Sequence, residues 1–108
     1  MKIGITPRFE KSAFGNSWYS FETDLLNFIR RHFPLGDIEL ISPVNSLSLK
    51  DFDLVILSGG STPGEDLSRD FWETKLMDIA ISQNVKLIGI CRGAQLISNH
   101  FEIGRAHV

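Results

Sequence analysis

Leu87-Ile88-Gly89-Ile90-Cys91-Arg92-Gly93-Ala94-Gln95-Leu96 decides how the rest of the chain is read. An apolar run from Leu87 to Ile90 meets the chain's single cysteine. A glycine stands two residues before it and another two residues after it, and Ala94–His100 has a helical composition. Strand, nucleophile, sharp turn and helix in that order form a nucleophile elbow, here G-x-C-x-G. The turn is so tight that a side chain at Gly89 or Gly93 would strike neighbouring backbone, while the residue between them stands out at the strand's carboxyl end. The amides opening the next helix point at the same spot, where they favour a thiolate or a developing oxyanion. The competing reading of Cys91 is a small buried apolar residue, the usual fate of a free cysteine.

Upstream of this corner, two other apolar runs, Lys2–Thr6 and Leu54–Leu57, read as buried strands, the first stopped by Pro7. Asp37–Ile41 is a shorter strand. Arg8–Ser17 is polar and contains glycine, and is read as a loop. Trp18, Phe21, Leu25, Phe28 and Ile29 recur at three- and four-residue steps. They predict an amphipathic helix to about Phe33, capped by Ser17, with the aromatic stripe in the core. Arg30-Arg31-His32 closes that helix, where cations suit the dipole. Ser42–Asp51 is a Pro/Asn/Ser loop with Leu47 and Leu49 turned inward. Ser58-Gly59-Gly60-Ser61-Thr62-Pro63-Gly64 is a turn rich in backbone amides. A second helix starts at Ser68 or Asp70 and runs to Ser82, with Phe71 or Trp72, Leu76, Ile79 and Ala80 on its inner face. Glu73 lies early in it, where an acid suits the dipole, and Asn84 ends it. Val85–Ile90 is the strand of the elbow.

Continuous apolar strands alternating with amphipathic helices mean an α/β fold with a parallel, doubly wound sheet covered on both faces. Function in such sheets gathers at the carboxyl ends of the strands. Here Ser58–Gly64 and Cys91–Gly93 both lie at such ends. A length of 108 residues allows one small domain, and 43% apolar residues are enough for a core. A net charge of −2 with interspersed signs gives no basic patch for nucleic acid or an anionic membrane. One cysteine permits no internal disulfide, and no apolar run approaches membrane-spanning length. A cytoplasmic protein is expected. One Cys and three scattered His make no metal-ligand set, and neither a P-loop nor G-x-G-x-x-G is present, so no cofactor is expected.

Leu57-Ser58-Gly59-Gly60, followed some thirty residues later by Gly89-Ile90-Cys91-Arg92-Gly93-Ala94-Gln95, resembles the class I glutamine amidotransferase superfamily. The arginine after the cysteine, with Arg69-Asp70 and Glu73 ahead of it, is most similar to the gamma-glutamyl hydrolase branch, which includes gamma-glutamyl-gamma-aminobutyrate hydrolases. The strong part covers Leu54–Phe101. The resemblance implies a flavodoxin-like three-layer α/β/α sandwich, C-terminally incomplete in this chain. It implies Cys91 as nucleophile, forming a gamma-glutamyl thioester with a small gamma-glutamyl amide or glutamine. The amides of Gly60 and Arg92 would form the oxyanion hole, and Gly59 and Gln95 would help hold the glutamyl group. The competing reading of Gly59-Gly60 is an ordinary turn, and that of Gln95 a helix-surface amide.

The family's base, a histidine backed by a glutamate, lies far downstream of the cysteine. His32 and His100 are poorly placed for that role: a helix rises 1.5 Å per residue, which puts His100 ~13 Å beyond Cys91. Residues 1–101 are therefore expected to be the N-terminal portion of such a domain, inactive alone. Residues 102–108, Glu-Ile-Gly-Arg-Ala-His-Val, are expected to be a non-native tail. The string GAG ATC GGA AGA GCA CAC GTC encodes them and matches a widely used sequencing adapter; processing scars of this kind stay outside fold reasoning. Two alternatives stand beside the hydrolase: a glutaminase unit that delivers ammonia to a synthase partner, and a non-catalytic binding domain.

Overall fold

The computed structural model describes residues 1–43, 48–60 and 63–102, with the side chain of residue 102 left aside. Residues 44–47, including the expected inward Leu47, and 103–108, most of the expected tail, lie outside the described residues. The elements run β1 (Lys2–Ile5), β2 (Arg8–Lys11), β3 (Ser17–Ser20), α1 (Thr23–His32), β4 (Asp37–Leu40), β5 (Leu54–Leu57), α2 (Leu67–Ser82), β6 (Lys86–Gly89) and α3 (Arg92–Glu102). The main sheet is parallel throughout, in the order β4-β1-β5-β6. With the β2-β3 hairpin set aside, this is the 2-1-3-4 order of a flavodoxin-like sheet.

Side chains on successive strand residues point to opposite faces, and β5 shows how both are used. Leu54 and Ile56 join Ile3, Ile5 and Ile29 in one core, with Leu25, Leu26 and Phe33 of the α1 region packed on it. Val55 and Leu57 join Leu76, Met77 and Ala80 of α2 and Leu96 of α3 in the other. Helices on both faces make three layers, and the four-residue apolar run of β5 is fully buried because it serves both cores. Each aliphatic side chain so buried contributes ~1.5–3 kcal/mol relative to exposure. Leu49 is also fully buried, as expected, with its N–H donating to the Gln83 side chain at 2.8 Å. Asn84 ends α2 in the left-handed region, φ +61°, which a short polar side chain tolerates.

The N-terminal third departs from expectation. Arg8–Ser17 is not a plain loop and Trp18 does not begin a helix. Instead β2 and β3 form an antiparallel hairpin with Phe9 opposite Tyr19 and Glu10 opposite Trp18. Ser12 and Asn16 close its turn at 2.8 Å, and Gly15 supplies φ +83°. Ser17, expected to cap a helix, is paired with Lys11 in the hairpin. The capping position belongs to Glu22, whose side chain makes no capping bond. The aromatic stripe divides accordingly. Trp18 (48% exposed) and Phe28 (51%) face outward, while Phe21, Leu25 and Ile29 reach the core. The second helix starts at Leu67, before Ser68 and Asp70, because Asp66 accepts the Arg69 N–H at 3.1 Å as its cap. Trp72, not Phe71, takes the inner face: Phe71 is exposed and Trp72 packs on the α2–α3 core.

Candidate active site

Three strand ends converge at the carboxyl edge of the sheet. β1 runs into Thr6, β5 into Ser58-Gly59-Gly60, and β6 into Ile90-Cys91. The register pairs Leu57 with Gly89, and the Ile90 N–H donates to the Leu57 carbonyl at 2.9 Å, which carries the two chains side by side into the turn. Cys91 adopts φ +51°, the left-handed region that costs a non-glycine residue roughly 1–2 kcal/mol. Strain of that kind persists where surrounding structure imposes it. Here the imposing parts are the two flanking glycines. A Cβ at Gly89 would collide with the backbone of Gly93 and Ala94, and one at Gly93 with the carbonyl of Leu57. The chain can leave β6 and enter α3 this abruptly only where those side chains are missing. Cys91 is exposed, so the alternative of a buried apolar cysteine does not describe its place in the fold.

The second glycine turn lies against the first. A Cβ built on Gly59 would come 3.8 Å from the Cys91 Cβ, so the two turns face each other at this point with room for no more than a methyl group between them. Gly60 adopts φ +138°, and the Arg69 guanidinium occupies the space its side chain would need. Arg92 opens α3 on the other side of the cysteine. Gln95 donates its backbone N–H to the Cys91 carbonyl at 3.1 Å; its side chain is exposed and borders an open hollow with Pro63, Ala94, Ser98 and Asn99. The structure thus brings Gly59 and Cys91 near each other, puts Gly60 and Arg92 next in chain to them, and leaves the Gln95 side chain exposed on α3.

The histidines are placed elsewhere. His100 Nε2 lies 2.9 Å from Asp78 Oδ1 and links α3 to α2. His32 ends α1 with its ring 4.3 Å from that of Phe28. The third histidine, at position 107, lies outside the described residues. A roomy hollow lies away from the cysteine, between the hairpin and the start of α2, with Phe9, Trp18, Tyr19, Glu65 and Asp66 among its walls, and Cys91 does not line it. The chemistry-bearing corner, not that hollow, is the candidate site.

Beneath the corner lies a group of charges whose contacts were not anticipated. Arg69, Glu73 and Arg92 are buried to 2% exposure or less. Arg69 Nε donates to Glu73 Oε1 at 3.1 Å, and its Nη2 donates to both the carbonyl and the hydroxyl of Ser58, each at 3.1 Å. Arg92 pairs with Asp70 Oδ1 at 2.7 Å and with Glu73 Oε2 at 3.2 Å. Ser58 in turn donates its N–H to the Thr6 hydroxyl at 3.0 Å and its own hydroxyl to the Thr6 carbonyl at 2.7 Å. Burial pushes the Glu73 carboxyl above the ordinary carboxylate range, against the pull of the Arg69 and Arg92 charges and a hydrogen bond from Thr6. Burial also lowers the Arg69 guanidinium, with Glu73 opposing. The sequence signal was the i, i+4 spacing of Arg69 and Glu73, overlooked because an acid early in a helix already has a dipole rationale.

A parallel three-layer sheet with a strained cysteine between strand and helix, set beside a Ser-Gly-Gly turn, has the arrangement of a nucleophile elbow in an α/β sandwich. Comparison with known proteins refines that class. Residues 57–102 match the Peptidase C26 family. The chain is also similar to the gamma-glutamyl-CDP-amidate hydrolase of Campylobacter jejuni, at 40% identity over a match covering 44% of this chain and 26% of that protein. The findings support the class I glutamine amidotransferase-like superfamily and its gamma-glutamyl hydrolase branch. The match spans about a quarter of the length of this curated relative. Among the described residues, no helix is long and apolar enough to cross a membrane.

Proposed function

We propose that this chain carries the nucleophile-bearing part of a cytoplasmic cysteine hydrolase of a small gamma-glutamyl amide. The Cys91 sulfur attacks the side-chain amide carbon, an S–C bond forms, and the carbonyl electrons collect on oxygen in front of the Gly60 and Arg92 amides. Collapse breaks the C–N bond, the amine leaves with a proton, and a gamma-glutamyl thioester remains on Cys91. Water then attacks the thioester and releases glutamate and the thiol. Gly59 and Gln95 border the glutamyl group. The observation that carries this reading is the exposed Cys91 at φ +51° facing the Gly59 turn. The similarity to a gamma-glutamyl-CDP-amidate hydrolase supports the substrate class. No cofactor takes part.

The base that moves these protons is assigned to a histidine–glutamate pair outside the described residues, since His32 and His100 are engaged elsewhere, and the chain by itself is inactive on this reading. Residues 102–108 are proposed to be adapter read-through, which sequencing the source DNA across codon 102 checks. The uninterrupted gene product, mixed with a gamma-glutamyl anilide, is expected to release the amine and to carry a gamma-glutamyl adduct on Cys91 by intact-protein mass spectrometry. Cys91→Ala abolishes both. Amine release that survives Cys91→Ala would overturn the mechanism. Glutaminase activity that appears only with a synthase present would favour the amidotransferase alternative. An intact native sequence with neither turnover nor adduct would favour a binding domain.

A further inference from the structure

The side chains of Arg69, Asp70, Glu73 and Arg92 are not used by the chemistry above, and their burial is costly. Ion pairs taken out of water recover their desolvation only with good geometry, and apolar side chains of similar volume often serve stability as well or better. What distinguishes this group is where its links end. Arg69 Nη2 holds the Ser58 carbonyl, so it fixes the peptide entering Gly59. Arg69 Nη1 fills the space a Gly60 side chain would need, so the same guanidinium backs the next residue of the turn. Arg92 is itself the residue after the nucleophile, and its side chain runs back to Asp70 and Glu73 on α2. Glu73 is the hub, one oxygen on Arg69 and the other on Arg92. Asp70 also accepts the Gly64 N–H at 2.7 Å, which ties the far end of the glycine turn to α2. The two proposed oxyanion donors, Gly60 and Arg92, belong to different strand ends. The chain of contacts Gly60–Arg69–Glu73–Arg92 joins them through side chains.

We propose that Arg69 and Glu73, with the Arg92 side chain, are positioning residues for the oxyanion hole: they hold the Gly59-Gly60 turn and the first turn of α3 at a fixed separation. The proposal rests on the hydrolase reading above. Oxyanion donors help only when aimed at the place where charge develops, and an aimed donor is worth about 100- to 1,000-fold in rate. A turn of two glycines has no side chains of its own to resist drift. The charged hub supplies that resistance from below.

Two reactions of the same sulfur separate positioning from plain stability. Iodoacetamide alkylates Cys91 by displacing iodide, a step in which no carbonyl oxyanion forms. 4-Nitrophenyl acetate acylates it: sulfur bonds to the carbonyl carbon, charge gathers on the carbonyl oxygen, and the C–O bond to 4-nitrophenolate breaks. The ratio of the two rates, divided by the same ratio for glutathione, isolates what the oxyanion hole contributes. For this chain the normalised ratio is expected to exceed about 10. In Arg69→Lys and Glu73→Gln it is expected to fall about tenfold or more while alkylation stays within about twofold. The double variant Arg69→Met/Glu73→Met, which leaves Arg92 paired with Asp70, serves if a single variant loses its circular dichroism spectrum.

A wild-type ratio equal to that of glutathione would remove the oxyanion hole and with it the hydrolase reading. A raised wild-type ratio that folded variants retain would leave that reading standing and overturn the positioning role. Loss of fold in all three variants would also overturn it, in favour of a purely structural role.

Discussion

The elbow and the β2-β3 hairpin both lie beyond the carboxyl ends of sheet strands, yet they are held in opposite ways. At the elbow, backbone is packed on backbone. Gly93 lies against the Leu57 carbonyl, Gly89 lies against Gly93, and buried charges close the space below. In the hairpin, side chains do the holding, and most are wet. Phe9 packs on Tyr19 with ring centroids 5.1 Å apart and on Trp72 at 5.7 Å, Arg8 pairs with Glu22 at 2.9 Å, and Trp18 and Tyr19 remain nearly half exposed. The first region has one conformation because its neighbours leave no other. The second keeps its shape through contacts that can each be lost singly.

That contrast sets an order of fragility. The sharpest way to break it is Glu73→Ala, which strips Arg69 and Arg92 of a shared partner inside the protein. Breaking a buried pair on one side costs about 3–5 kcal/mol, and a urea titration is expected to show the midpoint drop accordingly. A shift no larger than that of a surface change would mean water already reaches the group. Gly93→Ala comes next, at about 1–3 kcal/mol, because the new methyl group must displace the Leu57 peptide. Thermal melting reads that loss, and a neutral result would show the corner to be looser than its glycines imply. Phe9→Ala is expected to cost the least, about 0.5–1.5 kcal/mol for the two ring contacts, and to leave the iodoacetamide rate of Cys91 within about twofold. A large change in that rate would show the hairpin to be mechanically joined to the site.

The same contrast explains what could be read from the amino acids alone. The elbow was legible because its cause is steric and local: two glycines at fixed offsets from a cysteine, after a buried run, admit few conformations. The strands Leu54–Leu57 and Lys2–Ile5 were legible because apolar continuity has one common origin in an α/β chain. The hairpin was not, because Trp18 and Phe21 happen to continue the three- and four-residue steps of Leu25 and Ile29. The pairing that overrides this periodicity lies across a turn. The signal was there in Gly15, inside a five-residue connection between Arg8–Lys11 and Ser17–Ser20, a spacing that suits a hairpin. The charge cluster was half legible. Arg69, Asp70 and Glu73 stood out by resemblance, but their convergence on Arg92 and Ser58 is a property of packing between α2, α3 and β5, which no local pattern records.

The backbone angle at Cys91 also restricts what chemistry this corner could ever host. At φ +51° a side chain branched at Cβ crowds its own peptide, so threonine is disfavoured at the position, whereas unbranched serine or aspartate is tolerated. A descendant of this scaffold that exchanges sulfur for oxygen would therefore do so most cheaply through an unbranched side chain, a primary alcohol or a carboxylate.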